Sequence, residues 1–270
     1  MSKKEAYSRD LQRLLKEYLE ESRVVSLVEY LASRSNLPGP RGNLELADAL
    51  ADVLSSMPEE TGPRWWRLSE QLCEFTPDLA PTNDPKEFVA FCGVRLLGAI
   101  RSSSVPGSRV LAKLRGHARD PRWRVRESVA MSIQALVEKD SAVLKQLEAW
   151  ITDDDWLGMR AVAAGVAEPR LMKKQGVPEQ ALGLHERIIA RVIETSNRDS
   201  EEFSALRKTL GYSLSVVICG APTEGFKYLR RLAASENKDI RWIVRENLKK
   251  KRLTIRFPKE VESVGSTLRR

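Results

Sequence analysis

The chain has little of what reactive chemistry usually draws on. Its 270 residues include only two histidines, His117 and His185. Neither has a Cys, His or carboxylate at ligand spacing, which argues against a transition-metal site. The three cysteines, Cys73, Cys92 and Cys219, are odd in number, far apart and set among apolar neighbours. That is the pattern of reduced core thiols, not of a disulfide framework. Aromatic residues make up 6% of the chain and alternating β-branched runs are scarce, which argues against an all-β architecture. No apolar run approaches the roughly 18 residues of a bilayer span, and the opening MSKKEAYSRD is too polar for a signal peptide. A cytoplasmic protein without membrane contact is expected.

The sequence also lacks G-x-x-x-x-G-K-[ST], G-x-G-x-x-G after a strand, G-x-S-x-G and H-E-x-x-H. Nucleotide hydrolysis, dinucleotide redox chemistry and serine or zinc hydrolysis therefore have no support, and no cofactor is expected. GYSLS, starting at Gly211, lacks the second glycine of a nucleophile elbow and falls in a helical stretch. Asp153, Asp154 and Asp155 could attract a cation, but acids at a helix start are accounted for by capping and the helix dipole.

What is present is helix-forming sequence. Apolar residues are 42% of the chain, enough for a core, and Leu, Ala, Glu, Lys and Arg are plentiful. Leu11, Leu14, Leu15, Tyr18 and Leu19 form one stripe within residues 4–22, and a second apolar run covers 24–31. SNLPGPRGN, residues 35–43, stops that helix, and Asn43 can cap the next one over LELADALADVL. Further helices are expected from Pro63 and after an Asp84 cap with Pro85 as first residue. RSSSVPGS, residues 101–108, reads as a joint. The expected organisation is an irregular helical region over 1–104, helical repeats over 105–257 and a basic tail over 258–270.

Charge is unevenly placed along the chain. The net formal charge is +8, yet residues 225–270 carry 14 Lys and Arg against 5 Asp and Glu, and the other 224 residues nearly balance. A second basic window holds Arg109, Lys113, Arg115, Arg119, Arg122, Arg124 and Arg126 with a single acid, Asp120. Clustered cations favour a polyanionic partner, because neutralising phosphates releases counterions. Arg109, Lys113, Arg115, Arg122, Arg124, Lys249, Lys250, Lys251 and Arg252 are the expected nucleic-acid contacts, and double-stranded DNA the expected partner of a monomer.

The chain also repeats itself. DPRWRVRESVA, from Asp120, returns as DIRWIVRENLK, from Asp239. Taking the arginine of each Asp-x5-Arg phrase as a mark, Arg126 and Arg160 are 34 residues apart and Arg160 and Arg245 are 85 apart, with Arg207 in a fainter copy between. Spacing near 40 residues is the helix-pair period of HEAT and armadillo repeats. Asp120 would cap the second helix of a pair, Pro121 would preset its first turn, and Val125, Val129, Ile133, Leu136 and Val137 would bury one face. Asp239, Val244 and Leu248 would do the same. Pairs that cannot bury both faces alone must stack, so the expected fold is all-α, a right-handed α-solenoid of HEAT-like helix pairs.

Trp123, Arg126, Glu127 and Ala130 share one side of their helix; Trp156 with Arg160, and Trp242 with Arg245 and Glu246, repeat the relation. Asp and Arg at such positions also suit a ladder of ion pairs between repeats, and tryptophans suit packing between helices. The W-x(2)-R phrase, the unit WLGMRAVAAG and the phrase RKTLGYSLS resemble the AlkD family of alkylpurine DNA glycosylases over roughly residues 105–218. The resemblance implies a concave basic cleft in which a carboxylate, two aromatics and an arginine act on cationic N-alkylpurines without flipping the base into a pocket. Glu127 would be the carboxylate, Trp123 and Tyr212 the aromatics and Arg160 the arginine. The sequence departs from the family in having Glu127 where an aspartate is usual and Tyr212 where a tryptophan is usual. A noncatalytic HEAT-repeat scaffold that binds a protein partner is the competing reading.

Overall fold

A computed structural model describes residues 3–152 and 154–269. The protein is all-helical, with no strand among the described residues. It divides into two compact units, Met1–Leu136 and Val137–Arg270. The division falls within a helix, and residues 101–106 of the expected joint form a loop inside the first unit.

The first unit contains α1 (Lys3–Glu21), α2 (Val25–Ser33), α3 (Leu44–Ser55), α4 (Gly62–Cys73), α5 (Glu87–Leu97), α6 (Gly107–His117) and most of α7 (Trp123–Lys139). The α1 stripe is buried at Leu11, Leu14, Leu15 and Tyr18. Asn43 caps α3 as expected, accepting from the Leu46 amide at 3.1 Å. Its Nδ2 also donates to Tyr7 Oη at 3.0 Å and the Arg34 carbonyl at 2.8 Å, so one buried amide ties α1, the end of α2 and the start of α3 together. Helix α5 is buried at nearly every position and packs against α2, α3, α4 and α6. Its close approach to α4 depends on Gly93, where a Cβ would lie 2.9 Å from Leu72 Cβ and Cys73 Sγ.

The second unit contains α8 (Val143–Leu147), α9 (Trp156–Val166), α10 (Val177–Glu194), α11 (Glu201–Gly220), α12 (Pro222–Ala233), α13 (Lys238–Leu248), α14 (Lys251–Thr254) and α15 (Pro258–Arg269). Helix α11 runs between α9 and α13, with α10 and α12 also packed on it. The expected basic tail after Phe257 is a helix, docked on α12 and α13 with Val264 buried. Gly211 permits the α11–α13 approach, since a Cβ there would meet the Trp242 ring at 2.9 Å.

Helix starts depart from the sequence reading at Asp84, Asp120 and Asp239. Asp120 does not cap α7 directly; its carboxylate accepts from the Arg122 amide at 2.8 Å, forming an Asx turn ahead of a helix that starts at Trp123. Asp84 does likewise with the Lys86 amide at 2.7 Å, ahead of α5. The cap of α13 is Asn237, which accepts from the amides of Asp239 and Ile240. The Asp239 carboxylate instead forms ion pairs with Arg207 at 2.7 Å and Arg198 at 3.0 Å, an Asp–Arg rung between α13 and the α11 segment. Asp155 caps α9 by accepting from the Gly158 amide at 3.1 Å, and Asp153 lies outside the described residues.

The repeated phrase has a common structural use. Ser128 and Asn247 follow Glu127 and Glu246 in the two copies, and both are fully buried. Ser128 Oγ donates to the Phe91 carbonyl of α5 at 2.7 Å, and Asn247 Nδ2 donates to the Leu210 carbonyl of α11 at 2.8 Å. Each copy thus spends its polar side chain on a carbonyl of the preceding packed helix. A buried polar group keeps its place only when so paired.

Candidate functional site

The register tryptophans have three different environments. Trp156 is 5% exposed and meets the Phe203 ring edge-on at 5.3 Å, which makes it a packing residue of α9 and α11. Trp242 is half-buried over Gly211, with the Arg207 guanidinium 4.0 Å from its ring centre. Trp123 alone of the three stands in the open, at 45% exposure.

Trp123 lies on the wall of a cavity of about 350 Å³ in the first unit, with Arg41, Gly42, Leu44, Phe91, Arg124 and Glu127. Four elements of the chain build it. The loop 35–43 supplies Arg41 and Gly42, α3 and α5 supply Leu44 and Phe91, and the first turns of α7 supply Trp123 and Glu127. Arg41 is exposed, and Leu44 is 41% exposed. Glu127 is half-buried, four residues and so about one turn after Trp123, which brings ring and carboxylate to the same opening.

Arg124 fixes this geometry. It is 6% exposed and its Nη1 donates to Glu87 Oε2 at 3.0 Å in an ion pair whose carboxylate is fully buried. Its Nη2 donates to the Gly39 carbonyl at 2.5 Å and to Asn83 Oδ1 at 3.1 Å. One guanidinium therefore pins the Arg41 loop, the Asn83 turn and α5 to the start of α7. The same group lies 4.6 Å from the Trp123 ring centre, a cation–π contact that sets the orientation of the indole.

Two of the expected nucleic-acid contacts are buried ties within the first unit. Arg124 is committed as described. Arg122 is 3% exposed; it forms an ion pair with Asp120 at 2.7 Å and donates to the Phe75 and Ala80 carbonyls at 2.8 and 2.9 Å. Neither guanidinium can reach a phosphate without dismantling a loop. Arg126 is likewise structural, its Nη1 donating to the carbonyls of Asp120 and Pro121. Of the other basic positions, Arg109 is exposed and stacked 4.3 Å from the Trp66 ring centre, while Lys113 and Arg115 are partly exposed. Lys249, Lys251 and Arg252 are exposed and Lys250 partly so, with Lys249 paired to Glu246 at 2.5 Å.

Arg160 and Tyr212 belong to the second unit, on α9 and α11, which pack together. Arg160 is partly exposed and Tyr212 is 38% exposed. Trp123 and Glu127 are thus brought together in one cavity, and Arg160 and Tyr212 stand on neighbouring helices of the other unit. The GYSLS serine has no catalytic setting. Ser213 Oγ is 2.9 Å from His185 Nε2, but both residues are fully buried. His185 Nδ1 faces the Ala181 carbonyl at 2.9 Å, so the neutral ring donates there and accepts from Ser213, and burial lowers its pKa to about 4. Burial pushes the Cys92 thiol well above its ordinary value and Cys73 up to about 12, which leaves both inert at neutral pH.

Arg41, Leu44 and Phe91 were not singled out in the sequence. They are separated from Trp123 by 82, 79 and 32 residues, and no local pattern marks them. No group of His, Cys, Asp and Glu suited to a metal occurs among the described residues, and no described helix is long and apolar enough to cross a membrane. The chain matches no protein-family model, no curated protein and no solved structure.

Proposed function

We propose that this chain binds duplex DNA as a HEAT-like solenoid similar to the AlkD-type glycosylases, working as a cytoplasmic monomer, with Trp123 and Glu127 as the residues that meet the nucleic acid. The observation that carries the reading is the exposure of Trp123 beside Glu127, at the one register tryptophan that is not packed away. Exposed Arg109 and Arg119, and five cations without an acid in residues 249–256, support a polyanionic partner. Electrophoretic shifts of duplex DNA at low salt test this directly; no shift ends it. Excision is a separate matter. A carboxylate can stabilise the sugar cation that develops as an alkylated base leaves. Release of methylated purine by the wild type but not by Glu127→Gln supports catalysis, and equal release by both removes it while leaving binding intact.

The noncatalytic scaffold reading draws on the apolar walls of the same cavity, Leu44, Phe91 and the Trp123 ring, which suit an apolar side chain of a protein partner. It predicts a complex that survives high salt, the reverse of phosphate-driven binding.

A further inference from the structure

Ile255 is the most exposed large apolar side chain among the described residues, at 73%, and we infer that it is a wedge that enters a base step of duplex DNA and kinks it. The inference rests on the duplex-DNA reading and adds to it a contact, in the second unit, that senses how easily the duplex deforms. The chain around Ile255 continues the helical turn of α14. The Ile255 amide donates to the Lys251 carbonyl at 3.0 Å, and the Phe257 amide donates to the Leu253 carbonyl at 2.8 Å. Residues one turn apart share a face, so the segment has two. Leu253 is fully buried and Phe257 meets the Phe226 ring edge-on at 5.3 Å, which makes theirs the inner face. Lys251, Arg252, Ile255 and Arg256 are exposed. Packed residues thus hold Ile255 from both sides, and α14 itself rests on α11, α13 and α15.

Charge separates this position from the other exposed apolar residues. Within four residues on either side, Ile255 has Lys251, Arg252, Arg256 and Lys259 and no acid. Leu79, 67% exposed, has Asp78 and no cation in the same span, and Val25, 60% exposed, has Glu21 and Glu29 against Arg23. None of the four cations around Ile255 has an ion pair among the described residues, whereas Lys249 is paired with Glu246. Cations of this kind attract phosphates, and an aliphatic side chain among them gains by leaving water for the stacked bases. An anionic membrane offers the same two attractions, but a surface anchor buries a whole apolar helix face. Here α14 is a four-residue helix with Leu253 turned inward, so Ile255 alone is left to insert. Apolar side chains inserted from the minor groove in this way kink DNA by roughly 20–90° toward the major groove.

Bending by the full chain tests this. Duplexes of about 25 base pairs, labelled with a fluorophore at each end, carry either a central TA step, which kinks easily, or a stiff A-tract. Saturating wild type should raise the energy transfer of the TA duplex and bind it about tenfold more tightly than the A-tract. Ile255→Ser should abolish the rise in transfer and level the two affinities, with the slope of affinity against salt unchanged because no cation is lost. Ile255→Met, which keeps an apolar wedge, should retain both effects. Because Ile255 is exposed, the thermal melts of both variants should coincide with that of the wild type. Binding without bending, equal wild-type affinity for the two duplexes, or bending that survives Ile255→Ser overturns the inference and leaves the duplex-DNA reading standing. Absence of binding to either duplex removes both. Vesicles containing phosphatidylserine form a third arm: Ile255-dependent co-sedimentation, with the duplex left unbent, would assign the surface to a membrane and overturn the inference.

Discussion

At the scale of single residues, the first unit depends on a charge it cannot easily lose. Glu87 is fully buried and accepts from both the Asn83 amide at 2.7 Å and Arg124. Glu87→Gln would leave the Arg124 guanidinium buried without its counter-charge, which typically costs about 3–5 kcal/mol. Chemical denaturation should show that loss, and the exposed Trp123 should become more accessible to a collisional quencher as the Arg41 loop loosens. In the second unit, His185 is held neutral by burial, its pKa lowered from 6.5 to about 4. Between those values the unfolded chain binds the proton that the folded chain refuses. Stability is therefore whole above pH 6.5 and falls as the pH drops toward 4, by up to about 3 kcal/mol at about 1.4 kcal/mol per pH unit. His185→Gln removes the titration. Urea midpoints at pH 7 and pH 4.5 should differ less in the variant than in the wild type, and an equal pH dependence in both would contradict the assignment.

At the scale of the helix, close approach rather than propensity sets what each glycine tolerates. Gly211 faces Trp242 across the α11–α13 contact, and an added methyl would meet the ring at 2.9 Å. Gly116, in α6, has nothing within 4 Å of the same methyl. Alanine should therefore destabilise at Gly211 by about 1–3 kcal/mol through overpacking and stabilise at Gly116 by about 0.5–1 kcal/mol through helix propensity. Thermal melts of the two variants should move in opposite directions. The same contrast explains how much of the fold was legible. Helical periodicity marked α1 and α7 in the sequence, because an apolar stripe is a local signal. Helix starts were less legible: Asp, Asn and Ser serve equally as caps, Asx turns and ion-pair partners, and only the packed structure decides among them. Thus the Asp in DIRWIVREN became a rung to Arg198 and Arg207 while Asn237 took the cap.

At the scale of the whole molecule, the sequence reveals where charge lies along the chain but not which charges remain available. Seven Lys and Arg crowd the window 109–126, yet Arg122 and Arg124 are internal ties, each bonded to backbone carbonyls from distant loops. The candidate site was legible to the same degree. The repeat register singled out Trp123 and Glu127, whereas Arg41, Leu44 and Phe91 join them only through tertiary contacts. Burial thus divides the basic residues into two classes with different expected outcomes. In the run Lys249–Arg252 the side chains are exposed or partly exposed, so each glutamine substituted there should remove up to one phosphate contact. Each lost contact lowers the slope of log K against log salt by about 0.9, so neutralising all four should flatten it by as much as about 3.6. The melting temperature should scarcely move. Arg122→Gln should do the reverse, leaving the salt slope nearly unchanged while costing about 2–4 kcal/mol of stability, because the Phe75 and Ala80 carbonyls and Asp120 lose their buried donor. Salt titrations of duplex binding beside thermal melts separate the two. A quadruple variant that binds with the wild-type slope would remove Lys249–Arg252 from the interface and leave Arg109, Lys113 and Arg115 to account for any affinity.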